Sequence, residues 1–315
     1  MMATVIKKLG VFYDFVFNKL ADPRTKIWFL VAKPYQCIIV LTIYLMFVFK
    51  WGPRFMKNRP AYNIDTIMII YNVIQVISCA YIFLVGLIEI WIPNYKLFCE
   101  PVDFSDSKTA IDIATLSYYY YLTKYLDLMD TIFFVLRKKY NQISFLHIYH
   151  HTGMVMLIWG AVTYMPGGHG TSVGLINSFV HAVMYSYYLI TVAAPKVKKS
   201  LWIKKLVTQI QILQFLLYVV HIGSIAFMPN CEYPRWTVAI FLPQNLFILV
   251  LFMDFYIKTY IKKTKTTVPV KKLEEESRES EVGYNNNFKA KENHEIFQRI
   301  IKTDEMESKV VNTKK

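Results

Sequence analysis

Charge is scarce in this chain, and lopsided. Only 18% of the 315 residues are charged, 22 acids stand against 36 bases, and 55% of the residues are hydrophobic. So little charge over so much apolar sequence excludes an ordinary soluble domain. The formal balance of +14 would suggest nucleic acid in a soluble protein. Here the bases lie in short clusters between apolar runs, which removes that partner and places them in loops beside anionic lipid or a polyanionic substrate. The first thirty residues do not read as a cleavable signal peptide either. MMATVIKKLGVFYDFVFNKLADPRTK has no continuous apolar core and no small-residue cleavage site, so residues 1–30 read as an interfacial amphipathic segment. Cysteine and histidine are few, four and seven in all, and each shortage limits the chemistry open to the chain.

Long apolar runs are plentiful. Seven segments near 31–49, 64–92, 110–136, 142–164, 171–194, 206–227 and 237–257 approach or exceed the roughly 20 residues that span a bilayer. The pattern predicts an all-α membrane protein whose membrane domain occupies residues 31–261. The third segment, SKTAIDIATLSYYYYLTKYLDLMDTIFFVL, is rich in polar groups. From about residue 262 the sequence turns polar and charged, and 262–315 is expected to be a disordered cytosolic tail. Its final Lys314 and Lys315 do not sit where a dilysine retrieval signal needs them.

The loops orient the spans. Lys50, Arg54, Lys57 and Arg59 follow the first, Arg137, Lys138 and Lys139 the third, Lys196, Lys198, Lys199, Lys204 and Lys205 the fifth, and Lys258, Lys262, Lys263 and Lys265 the seventh. The alternate loops are poor in bases, so the basic loops and the C-terminus are expected in the cytosol. Seven spans then put the N-terminus on the other side. Lys19, Arg24, Lys26 and Lys33 depart from this rule, because they precede the first span on the side where few bases are expected. Of the four cysteines, Cys37 and Cys79 fall within spans and read as small apolar residues. Cys99 and Cys231 fall in loops separated by an even number of spans, hence on one side, the non-cytosolic one. They are expected to form a disulfide.

Three histidines crowd QISFLHIYHHTGMV at 142–155: His147, His150 and His151, at i, i+3 and i+4, on one helix face. A start near 142 sets them on the order of 10 Å inside the cytosolic edge. Polar groups at that depth are costly and usually face a cavity; the plainer reading is packing histidines bonded to neighbours. The third segment adds Lys124, Asp127, Asp130 and Thr131, which read as an intramembrane salt bridge or as acids that orient imidazoles. The fifth adds Asn177 and His181, with Met184, Tyr185 and Tyr188 extending their face. The sixth adds Thr208, Gln211 and Gln214, amides that can also simply join helices. Convergence of these stripes on one pocket is the economical reading.

The shortage of histidine narrows the chemistry. Di-iron membrane oxygenases carry similar HxxHH boxes, but their two metals need more imidazoles than this chain can assemble. His294 lies in the tail, His169 in an external loop, and His221 far along the sixth segment. Only His147, His150, His151 and His181 are placed to meet. One zinc or iron stays open by count. A metal-free route is also open, with imidazole as base, acid or nucleophile and amides that bond an oxyanion. A receptor or small transporter would share the seven segments but has no need of three imidazoles beside a Lys/Asp stripe.

KYLDLMDT at 124–131, QISFLHIYHH at 142–151, NSFVHAVMYSYY at 177–188 and TQIQILQF at 208–215 resemble, in order and spacing, the motifs of the very-long-chain fatty acid elongases. These are the condensing enzymes of the endoplasmic-reticulum elongation cycle. The likeness runs from about residue 25 to 265. Asp127 stands where the family more often has Glu. The resemblance implies seven membrane helices, six of them enclosing an acyl tunnel closed at its lumenal end. It implies a decarboxylative Claisen condensation of a long acyl-CoA with malonyl-CoA, through an acyl-histidine. It assigns His150 as nucleophile with His151 as alternate, His147 and His181 to malonyl decarboxylation and the enolate, Asn177 and Gln211 to orientation, and Lys124 and Asp130 to holding the histidines. Tyr149, Met184, Tyr185, Tyr188, Thr208 and Gln214 are expected along the substrate's path. No cofactor or metal is implied. The implied partners are the two CoA substrates, membrane lipid, the reductases and dehydratase of the cycle, and a second copy of the chain. The implied location is the endoplasmic reticulum membrane, with a cytosolic C-terminus. Phe227 and Trp236 are the bulky residues expected near the lumenal end of the tunnel, where His221 is expected to pack.

Overall fold

The computed structural model describes residues 2–194, 197 and 200–262. The tail from residue 263, with Lys263, Lys265 and His294, and the loop lysines Lys196, Lys198 and Lys199 lie outside the described residues. The chain divides into two units, Met1–Ile257 and Lys258–Lys315. All of the site geometry belongs to the first.

Among the described residues every regular element is a helix. Helix α1, Met2–Asp14, precedes α2, Pro34–Met46, which continues through a wide turn to Met56. Helix α3, Asp65–Val85, likewise runs on to Asn94. Then come α4 (Lys108–Asp127), α5 (Met129–Leu136), α6 (Phe145–Tyr164), α7 (Thr171–Ala193), α8 (Leu201–Phe227) and α9 (Trp236–Tyr256). The starts follow ordinary capping chemistry: Pro34 opens α2, where its missing N–H costs nothing. The hydroxyls of Ser107, Ser144 and Ser200 accept from the third residue beyond them at the heads of α4, α6 and α8.

Each of the seven predicted segments is helical, and five of the helices are long and apolar enough to cross a membrane: Pro34–Met56, Asp65–Asn94, Gly168–Ala193, Leu201–Phe227 and Trp236–Lys262. The third and fourth segments fall short of that measure because α4 carries its charged stripe and α6 its three histidines. Burial follows the inverse of the soluble pattern. On α3, Ile67, Ile70, Ile74, Ile77, Tyr81, Leu84 and Ile88 are all exposed, at helical spacing. The inward face of the same helix carries Tyr71, Asn72 and Gln75. An apolar stripe facing out and polar groups facing in suit a hydrocarbon solvent, so this is a multi-pass membrane protein.

Within the first unit α3 lies along α7, α4 along α6, and α8 along α9. One end is tied off covalently: Cys99, before α4, is bonded to Cys231, before α9, with Cα atoms 5.6 Å apart. The expectation from the loops therefore holds. Beside this bond the segment Gly167–Gly170 folds inward. Gly168 has φ +65°, and a Cβ there would meet the Glu100 and Pro101 backbone at 2.9 Å, so the position needs glycine. Its N–H donates to the Tyr95 hydroxyl at 2.9 Å. His169, expected in an external loop, is instead fully buried. Its Nδ1 accepts from the Cys99 N–H at 3.2 Å, which leaves Nε2–H to donate to the His221 carbonyl at 3.0 Å. The two imidazoles stack with centroids 3.8 Å apart.

Candidate active site

Asp127 is the hub of the polar interior. It ends α4, where the chain breaks step at Leu128 before α5. Its Oδ2 takes the Lys124 ammonium at 2.7 Å and lies 3.6 Å from His181 Nδ1. Its Oδ1 accepts from Gln75 Nε2 at 2.8 Å and from the Tyr185 hydroxyl at 3.0 Å. Both members of the Lys124–Asp127 pair are 3% exposed, so each charge depends on the other and on these neutral donors. Lys124 also donates to Asn177 Oδ1 at 2.9 Å, as does the Tyr120 hydroxyl at 3.0 Å. Asn177 Nδ2 in turn reaches Gln214 Oε1 at 3.4 Å. Thus α3, α4, α7 and α8 meet in one buried network.

Asp130 joins it through Tyr185, whose hydroxyl lies 2.8 Å from Asp130 Oδ2. Tyr185 has a single hydrogen for two carboxylates, so Asp127 and Asp130 share it. Tyr71, on α3, lies 3.2 Å from the same hydroxyl. Of the two acids, Asp127 rather than Asp130 contacts Lys124 and His181.

The histidine box stands on α6, just inside the cap made by Ser144, whose Oγ takes the His147 N–H at 3.2 Å. A relay fixes His147: the Tyr44 hydroxyl donates to Thr131 Oγ1 at 2.7 Å, and Thr131 lies 2.8 Å from His147 Nε2. With the Tyr44 hydrogen on Thr131, the Thr131 hydrogen is left for Nε2, which holds His147 in the Nδ1–H tautomer. The His147 and His151 rings are 4.3 Å apart, and those of His150 and His151 5.5 Å. His150 is flanked edge-on by Phe215 and Phe252.

A small cavity opens beside the box, and His150 alone of its three histidines lines it, with Asn177, Gln214, Tyr218 and Gln244. A second, larger cavity shares Ile158, Val173 and Phe241 with the first and extends to Met165, His169 and Tyr233. One face of α6 lines the whole length: His150, Met154, Leu157, Ile158, Ala161, Val162 and Met165. The remaining walls come from α3, α4, α7, α8 and α9. The far end is the folded-in Gly167–Gly170 segment.

The other expected residues fall around this frame. Tyr149 donates to Gln244 Oε1 at 2.7 Å, across to α9. Gln211 donates to Met184 Sδ at 3.3 Å. Thr208 is buried, with its hydroxyl on the Lys204 carbonyl. The Tyr188 ring lies 5.8 Å from that of Tyr185. Phe227 and Trp236 do not block the cavity: they are 88% and 53% exposed and face away from it. Among the described residues no three His, Cys, Asp or Glu side chains are placed to hold one metal ion. Sequence reasoning missed Tyr44, Tyr71, Gln75 and Tyr120. Tyr71 and Gln75 are spaced i, i+4 in an otherwise apolar run, a signal that could have been read.

Two comparisons with known proteins identify the family. A family model described as the GNS1/SUR4 family, ELO, matches residues 29–268. The chain is 38% identical over 258 residues to very long chain fatty acid elongase 7 of Drosophila melanogaster, which covers 81% of this chain and 78% of that one. It is 40% identical over 253 residues to very long chain fatty acid elongase 7 of Rattus norvegicus (80% and 89% covered). It is 33% identical over 264 residues to very long chain fatty acid elongase 4 of Homo sapiens (84% and 83% covered).

Proposed function

Because the chain belongs to the ELO family and is an enzyme of fatty acid elongation, we propose that it catalyses the condensing step and that His150 carries the acyl group. In this reading His150 attacks the thioester carbonyl of a long-chain acyl-CoA. The C–S bond breaks, the imidazole proton leaves with the thiolate, and an acyl-imidazole and free CoA result. Malonyl-CoA then loses carbon dioxide, and its enolate carbon attacks the acyl carbon. The C–N bond breaks, the His150 imidazole takes back a proton from water, and a 3-oxoacyl-CoA two carbons longer is released. The observation that carries the reading is the position of His150, in the wall of the small cavity that shares its lining with the large apolar one.

The other roles follow from neighbours. Asn177 Nδ2 and the Gln214 amide line the same cavity and are positioned to bond a developing oxyanion. His147 and His181 serve decarboxylation and the enolate, with Gln211 orienting from α8. Lys124 and Asp130, with Asp127 between them, keep the histidines in place. The helices form seven spans, six of which enclose the acyl chain, with the ω end against His169. No metal or organic cofactor takes part. The membrane is that of the endoplasmic reticulum, with the basic loops and C-terminus in the cytosol, where Lys204 and Lys205 lie near the CoA phosphates. The product passes to the reductases and dehydratase of the cycle, and a homodimer is the expected assembly.

The test is mass measurement of intact protein after exposure to acyl-CoA, together with turnover. His150→Ala should lose both the acyl adduct and condensation. An adduct that persists in His150→Ala but disappears in His151→Ala would reverse the assignment, and condensation unaffected by His150→Ala would remove it.

A further inference from the structure

The bases ahead of the first span break the charge rule that the loops obey, and the structure shows what they surround. Residues 20–33 pack at the end of the first unit that holds the Cys99–Cys231 bond. The Asp22 N–H donates to the Thr163 carbonyl at 2.8 Å, and Arg24 Nη1 donates to the Ser105 carbonyl at 2.8 Å. Arg24 is neutralised by Asp22 at 2.7 Å. Lys26 and Lys33 are not. Lys26 donates to the Asn18 carbonyl and Lys33 to Asn18 Oδ1 at 3.3 Å, and among the described residues neither ammonium has a carboxylate within salt-bridge distance. Two acids of the same N-terminal stretch are engaged elsewhere, Asp22 with Arg24 and Asp14 with the Asn18 amide.

Lys26, but not Lys33, lines a small open pocket whose walls include Phe17, Thr25, Val31, Trp159 and Thr163. The hydroxyls of Thr25 and Thr163 are spent on backbone carbonyls. The Trp159 indole is not: the residue is 9% exposed, and its Nε1–H is buried without an acceptor. A buried donor without a partner is costly. Two unneutralised ammoniums, an idle N–H and an apolar wall are complementary to one chemistry, an anionic phosphate attached to hydrocarbon. Exposed Ile27 and Phe29 continue the apolar surface beside the pocket.

We propose that the mouth of this pocket binds the phosphate headgroup of an anionic membrane phospholipid, with Lys26 in the wall and Lys33, which shares Asn18 with it, meeting its charge and Trp159 Nε1–H donating to a phosphate oxygen. Two of the four bases that break the charge rule are then ligands for a lipid on that side of the membrane. The acyl-transfer chemistry plays no part in the argument, so the two readings fail separately.

The experiment is native mass spectrometry of the full chain in neutral detergent. It is titrated in parallel with dioleoyl phosphatidylinositol, with dioleoylglycerol, and with inorganic phosphate. One phosphatidylinositol per chain should be retained in preference to the other two. Lys26→Gln and Lys33→Gln should each weaken retention about fivefold, the loss of one lysine's attraction to anionic lipid. Trp159→Phe should weaken it by about tenfold, the loss of a hydrogen bond to a charged acceptor. Thermal unfolding of each variant checks that it is folded, and the lysine variants, being partly exposed, keep the test valid if Trp159→Phe is unstable. Equal retention of dioleoylglycerol, inorganic phosphate binding as tightly as the lipid, or retention unchanged in both lysine variants would each overturn the proposal.

Discussion

Substituting Ala161 tests whether the large cavity measures the acyl chain. His150 and Met165 stand at the two ends of the α6 face that lines both cavities. They are 15 residues apart, which at about 1.5 Å per residue is about 22 Å. A fully extended chain advances about 1.2 Å per bond, since a peptide residue of three bonds spans about 3.6 Å at most. On the proposed placement, about 18 chain carbons fit between the nucleophile and the folded-in Gly167–Gly170 segment. Ala161 stands 11 residues from His150, about 16 Å along the helix. Ala161→Phe should therefore stop the chain about four carbons short, two rounds of elongation. The assay is the product profile from a ladder of acyl-CoAs supplied with labelled malonyl-CoA. Short substrates should be turned over at nearly the native rate, and the longest native substrates should be lost. A uniform fall at every length, or an unchanged ladder from an active variant, would refute the idea that the cavity houses the chain.

Three further substitutions probe the network. Thr131→Val removes the hydroxyl that fixes His147, and kcat should fall by about 10²-fold with KM little changed, as read from steady-state kinetics. Asp127→Asn leaves the buried Lys124 ammonium without its countercharge and should destabilise the fold by about 3–5 kcal/mol. Asp127→Glu should keep the charge and recover most of that stability, as followed by thermal unfolding in detergent. Gly168→Ala forces a Cβ onto the Glu100 and Pro101 backbone at 2.9 Å in a left-handed conformation, at a cost of about 1–3 kcal/mol, and should lower the unfolding temperature.

The histidine box, the Lys/Asp stripe and the Asn/His pair were legible because polar residues at helical spacing stand out against apolar surroundings. The disulfide was legible because counting spans puts Cys99 and Cys231 on one side whatever the orientation. The α3 contribution was overlooked for the opposite reason: Tyr71 and Gln75 are two neutral groups in a long apolar run, and neither carries a charge that draws notice. Phe227 and Trp236 show a different limit. Position near a helix end says how deep a residue lies but not which face it occupies, and both face out. What ends the cavity is MPGGHG, which has the composition of a surface loop. Only the left-handed Gly168 and the two bonds of the His169 ring reveal that it turns inward.

On the proposed placement, a chain that ends against Gly167–Gly170 meets a closed end, and that dictates an order of events. The ω methyl must enter first and leave last, so a finished chain backs out along its whole length. Drawing it into water would cost about 0.8 kcal/mol for every methylene exposed, a barrier that rises with each round of growth. Drawing it into hydrocarbon carries no such charge. Departure by way of the bilayer is thus the path whose difficulty does not climb with product length, and a detergent or lipid that receives the chain should set turnover more strongly for long products than for short ones.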